Sequence, residues 1–90
     1  MKNREVIENF FNGRNSHTRN LKSEDGKLMS YSTCIAQMWD GAVIVNRTRY
    51  SVTTSKLQNW VAVEASRRDV NQIELRSVPI NTGRLSPNMH

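Results

Sequence analysis

The apolar positions of this chain change period along its length, and each change marks an element. Over residues 3–12, Val6, Ile7, Phe10 and Phe11 recur at i, i+3 and i+4, which predicts an amphipathic helix. Asn3 reads as its N-cap and Glu5 as a first-turn acid favoured by the helix dipole. Gly13 stands where a left-handed C-terminal residue is expected. Residues 14–20 (RNSHTRN) are polar throughout and read as a loop. Leu21-Lys22-Ser23, the turn Glu24-Asp25-Gly26 and a strand from Lys27 predict a first hairpin.

A second hairpin is signalled more sharply. Asp40-Gly41 is a two-residue type I′ turn signal between strand-forming runs. That loop places Trp39 opposite Ala42, Met38 opposite Val43 and Ala36 opposite Val45. Continued outward, the same register sets Cys34 against Arg47 and Tyr31 against Tyr50. Strand alternation then puts Ala36, Met38, Val43 and Val45 on one face, with Tyr31, Ile35, Trp39, Ile44 and Tyr50 on the other. A one-residue bulge would alter this assignment. Helices cover one face, and the other is expected to be half exposed or to form an oligomer contact. After Tyr50, the hydroxyls of Ser51, Thr53, Thr54 and Ser55 favour a helix start. Leu57, Trp60 and Val61 then predict a helix over about residues 53–67, with Trp60 in the core. Ile73 to Arg76 alternates as an edge strand would, and Pro79 permits only an edge position beyond it.

The predicted fold is α+β. An antiparallel three-stranded meander (about 20–23, 27–38, 42–49) packs with an N-terminal helix and a second helix, and a C-terminal edge strand is placed near 72–78. Residues 1–80 form a single domain. Residues 81–90 have little to bury and read as a mobile tail.

Charge adds one asymmetry. The formal net charge is +5, and the excess lies from Arg47 onward. That half suits a polyanionic partner or an acidic protein patch, although a charge of this size is ordinary for a small domain. Cys34 is the lone cysteine, so an internal disulfide and a Cys-rich zinc site are excluded. Its place in a strand fits a small buried thiol better than a nucleophile. No apolar run approaches a membrane span, and MKNREVIENFF lacks the apolar core of a secretory signal. The expected compartment is the reducing cytoplasm of a bacterial cell, with no membrane partner.

The stretch that carries most information runs from residue 27 to residue 61. Its YSTCIAQ strand, Asp-Gly turn and NRTRYSVTTSKLQNW segment resemble a family of small uncharacterised bacteriophage proteins. The shared signature is Asn-x-Thr-x-Tyr-Ser-x-Thr-Thr-Ser-Lys with a glutamine two residues on. Here it falls on Asn46, Thr48, Tyr50, Ser51, Thr53, Thr54, Ser55, Lys56 and Gln58. The resemblance covers about residues 16–60. Leu57 stands where that family more often has histidine. The resemblance implies a phage or prophage origin and brings no established activity.

Candidate site residues emerge from the chemistry of the same block. Arginine forks, hydroxyls and helix N-terminal amides together can hold phosphate or an acidic partner. That makes Arg47, Arg49, Tyr50, Thr53, Thr54, Ser55 and Lys56 candidates, against the plainer reading that the hydroxyls only cap the helix. Arg14, His17 and Arg19 would extend the patch if their loop folds beside the helix start. Arg67 and Arg68 are further basic candidates, most simply read as C-terminal helix charges. Trp39, at the hairpin tip, is the candidate interface anchor. No serine elbow, glycine-rich phosphate loop or HExxH pair occurs, so the reading is non-enzymatic, with no metal and no cofactor.

Two functions stay open at this level. One is a phage-type accessory protein that binds a host protein or nucleoprotein complex, as inhibitors of host defence (anti-CRISPR proteins among them) and regulators of host enzymes do. The other is direct DNA or RNA binding through phosphate contacts of the Arg47–Lys56 segment. A homodimer is compatible with either.

Overall fold

The computed structural model describes residues 1–89 and is an α+β domain. Elements run in the order α1 (Asn3–Phe11), β1 (Ser16–His17), β2 (Leu21–Glu24), β3 (Lys27–Ser30), β4 (Thr33–Trp39), β5 (Ala42–Asn46), α2 (Val52–Arg67) and β6 (Gln72–Leu75). The strands form one sheet in sequence order. Neighbours are antiparallel except β5 and β6, which pair in parallel through the α2 crossover. A three-stranded meander is a coarser description of this sheet.

The two hairpin turns read from Asp-Gly pairs form as type I′ turns. Asp25 and Gly26 have φ of 52° and 79°, and Asp40 and Gly41 have 47° and 80°. The β4–β5 register is the expected one, with Trp39 opposite Ala42, Met38 opposite Val43 and Ala36 opposite Val45. The pairs expected further out do not form, because β5 ends at Asn46.

The run 27–38 is two strands rather than one. Tyr31 and Ser32 make a two-residue turn between Ser30 and Thr33, with Tyr31 at φ 54°. Tyrosine is an uncommon occupant of that region, so nothing in the local sequence signals a turn. Between β3 and β4 the register also slips. Leu28 pairs with Ala36 but Met29 pairs with Cys34, leaving Ile35 as an extra residue. This bulge corrects the expected faces. Ile35 and Ala36 both join the layer under the helices, while Cys34 turns to the opposite face with Ile44.

The main core lies between sheet and helices. Val6, Ile7 and Phe10 of α1 and Leu57, Val61 and Ala65 of α2 pack on Leu21, Leu28, Ile35, Ala36, Val43 and Val45. Trp60 is not part of it and is 49% exposed. The stripe that faces the sheet is Leu57, Val61 and Ala65, and Trp60 stands to one side of it. The N-cap of α1 is Lys2 rather than Asn3. Its main-chain N–H donates to Glu5 Oε1 at 3.2 Å, and Asn3 Oδ1 instead accepts from the Thr18 hydroxyl. Gly13, at φ 74°, ends the helix as expected.

The second sheet face is covered by the chain's own C-terminal segment, not left half exposed. Val78 and Leu85 are buried with Cys34, Ile44 and Leu75 in a smaller second layer. Thr82 O accepts from the Cys34 N–H at 2.7 Å. The Asn81 N–H donates to Thr33 Oγ1 at 2.9 Å and the Leu85 N–H to Gln37 Oε1 at 2.7 Å. Residues 81–89, read as having little to bury, thus contribute Leu85 as an anchor at 2% exposure. His90 lies outside the described residues.

Candidate functional site

The signature polar residues form an inward network at the β5–α2 junction. The Asn46 side-chain amide donates to Cys34 O at 3.1 Å and to the Tyr50 hydroxyl at 2.9 Å. Asn46 Oδ1 accepts from the Thr48 N–H at 3.0 Å. The Tyr50 hydroxyl donates to Val78 O at 2.6 Å, and the Val78 N–H donates to Thr48 Oγ1 at 2.8 Å. From α2, Gln58 Nε2 donates to the carbonyls of Asn46 and Thr48. Asn46 and Gln58 are buried, so these bonds satisfy groups that water cannot reach. Ser51 caps α2, its Oγ accepting from the Thr54 N–H at 3.1 Å. Its hydroxyl also donates to Thr54 Oγ1 at 3.0 Å.

Of the candidates in this block, Tyr50 and Thr54 are therefore tied into the fold. Arg47 Nε lies 3.7 Å from Glu74 Oε2, and its Nη1 is buried without a hydrogen-bond partner among the described residues. Nothing in the structure explains that orphaned nitrogen. Arg49, Thr53 and Lys56 are exposed and Ser55 half-buried. Arg49, Tyr50, Ser51, Ser55 and Lys56 line a shallow groove of about 460 Å³ with Val52 and Asn59.

The other basic candidates disperse. Arg68 Nε sits 2.6 Å from Glu64 Oε2, and its Nη1 donates to Asn12 Oδ1 at 2.8 Å. Its guanidinium also lies 5.4 Å from the centre of the Phe11 ring, so it straps the end of α2 to the end of α1. Arg67 pairs with Glu64 at 3.1 Å. Arg14 is exposed beyond α1, where its carbonyl accepts from the Ser23 hydroxyl. His17 sits on β1 opposite Lys22. The 14–20 loop does not gather at the start of α2. Of its basic candidates, Arg19 lines a hollow with Trp60, together with Thr18 and Asn20. Trp39 is 43% exposed at the tip of the β4–β5 hairpin. Since Val43 pairs with Gln72 just after α2, that tip lies toward the C-terminal end of the helix, away from Lys56.

The surface that the sequence reading missed is the outer face of α2. Val52 is 77% exposed and Val63 52%. At 3.6 residues per turn, Val52, Lys56, Asn59, Trp60, Val63 and Arg67 fall within an arc of about 100°, opposite Leu57, Val61 and Ala65. The signal was present as a second apolar stripe at i, i+8 and i+11 beside the core stripe. Two hollows meet along it. One, of about 280 Å³, is lined by Arg4, Ile7, Glu8, Trp60, Val63, Glu64 and Arg67. The other, of about 630 Å³, is lined by Lys2, Arg4, Thr18, Arg19, Trp60 and neighbouring residues. Arg4 and Trp60 belong to both.

Among the described residues, no three His, Cys, Asp or Glu side chains gather as a metal site would require. No helix among them is long and apolar enough to cross a membrane. Burial pushes the Cys34 thiol up to about 11, so it stays protonated at neutral pH and donates to the Ala36 carbonyl at 3.1 Å.

A family model described as a family of unknown function, DUF8033, matches residues 2–77. No curated protein and no solved structure matches the chain. The matched span runs from the N-cap of α1 through β6, with the whole polar network except its Val78 anchor, and on that match the chain belongs to the DUF8033 family.

Proposed function

We propose that this is a small, non-enzymatic phage-type accessory protein that binds a host protein or complex through the outer face of α2. The observation that carries the reading is the contrast between the two sides of the signature. Asn46, Thr48, Tyr50 and Gln58 hold β5, α2 and the Val78 segment together. The helix they position leaves Val52, Trp60 and Val63 exposed to water on its outer face. Exposed apolar side chains in a row with basic neighbours are the composition of a docking surface, with tryptophan the strongest single anchor type. Inhibition of host defence or regulation of a host enzyme is the kind of task such a surface serves.

Direct phosphate binding through Arg47–Lys56 draws less support. Tyr50 and Thr54 are hydrogen-bonded internally and Arg47 is paired with Glu74, which leaves Arg49, Lys56 and a few hydroxyls. The two readings separate on salt and nuclease. A protein partner is captured from nuclease-treated bacterial lysate in near-stoichiometric amount and survives moderate salt. Phosphate binding would instead appear as DNA or RNA retention at low salt that falls steeply as salt rises. Retention of nucleic acid with no protein captured would overturn the proposal.

A further inference from the structure

We infer that the α2 face takes an acidic protein segment, with a carboxylate seated in the hollow beside Trp60; the inference rests on the docking reading above. The hollow of about 630 Å³ is lined by three cations, Lys2, Arg4 and Arg19, and by no carboxylate. None of the three lies within ion-pair distance of an acid among the described residues. At the C-terminal end of α2, by contrast, Arg67 and Arg68 both pair with Glu64. Three uncompensated positive charges around one concavity favour an anion there, and arginine forks favour a planar carboxylate or a phosphate.

The neighbouring surface decides between those two. Next to the cationic hollow, the second hollow presents Val63 and the shared Trp60, with Arg67, Glu8 and Glu64 at its lining. The exposed aliphatic Val63 offers nothing to a sugar-phosphate chain. An acidic peptide segment meets both hollows: its Asp or Glu side chains enter among Arg4, Arg19 and Lys2, and an apolar side chain lies over Val63 against the Trp60 ring. Charge of this kind steers the encounter, while the apolar contact around Trp60 supplies most of the affinity.

The test uses Trp60 as its own reporter. In a Trp39→Phe protein, Trp60 is the remaining tryptophan. The probes are a synthetic amphipathic peptide with Glu on one face and Leu on the other, the same peptide with Gln for Glu, and single-stranded DNA of similar length. The expected result is a saturable blue shift of Trp60 fluorescence with the Glu peptide, at least tenfold weaker with the Gln peptide and in an Arg4→Glu/Arg19→Glu variant. A shift with DNA that equals or exceeds that of the Glu peptide overturns the inference, as does no shift with any probe. Lysate capture distinguishes this failure from failure of the docking reading. A partner lost with Trp60→Ala but kept with Arg4→Glu/Arg19→Glu leaves the helix face as the dock and removes the acidic class. A partner kept with both variants removes the docking reading as well.

Discussion

The side-chain amide of Gln58, on the buried side of α2, donates to the main-chain carbonyl of Asn46 at the end of β5. The same nitrogen reaches the Thr48 carbonyl at 2.9 Å. One amide thus stitches the crossover helix to the end of the strand that precedes it. Replacing Gln58 with Leu keeps the bulk and strands both carbonyls. The expected loss is about 2–3 kcal/mol in urea unfolding, and an unchanged midpoint would remove the network from the account of the fold.

Leu85 holds the C-terminal segment over the second sheet face. A Leu85→Ala substitution is expected to cost about 2–3 kcal/mol. It should also raise the rate at which a maleimide reaches Cys34 by at least tenfold, because that thiol lies beneath the same segment. Equal labelling rates in the two proteins would show that the segment does not shield Cys34.

Cys34 gives a pH dependence whose sign is fixed by its environment. Burial raises the thiol from an ordinary 9.0 to about 11. Below pH 9 both folded and unfolded chains keep the proton, so the contribution is fully present. Between pH 9 and 11 only the unfolded chain ionises, and stability falls by about 2–3 kcal/mol. Urea unfolding of the wild type and Cys34→Ala at pH 8 and pH 11 isolates this part, since all other titrations are common to both. The wild type should lose more than the variant by that amount, and parallel losses would contradict the burial argument.

Arg67 and Arg68 are adjacent in sequence and unlike in role. Arg68 engages Glu64, Asn12 and the Phe11 ring at once, whereas Arg67 is largely exposed with a single ion pair. Arg68→Ala is expected to cost about 1–2 kcal/mol, and Arg67→Ala no more than about 0.5 kcal/mol. Thermal unfolding of both variants checks the ordering, and a reversal would sink it.

Local rules made some of this legible in the sequence. The two Asp-Gly turns, the β4–β5 register and the span of α2 come from turn chemistry, alternation and helical spacing, all of which act between near neighbours. The Ser51 cap belongs with them. The Tyr31-Ser32 turn and the Ile35 bulge were not legible, because tyrosine rarely occupies a positive-φ position and a bulge leaves no mark in an apolar run. The partners of Asn46, Tyr50 and Thr48 are beyond local reasoning too. Tyr50 bonds Val78, 28 positions away. Of the candidate hydroxyls, Tyr50 satisfies a main-chain group across that distance, while Thr54 bonds its neighbour Ser51. Trp60 was misread for a related reason: both sides of α2 carry apolar residues, and only the packed sheet shows which side is covered.

The central claim is that the polar signature builds the domain and the outer face of α2 does the binding. A Val63→Glu protein tests this most directly, since Val63 projects from that face, outside the core layer and away from the Gln58 network. Capture from nuclease-treated bacterial lysate is compared with the wild type, after urea unfolding has shown stabilities within about 0.5 kcal/mol, as expected of a surface change. The account predicts that the folded variant no longer retains the partner. Retention at the wild-type level by an equally stable Val63→Glu protein would contradict it.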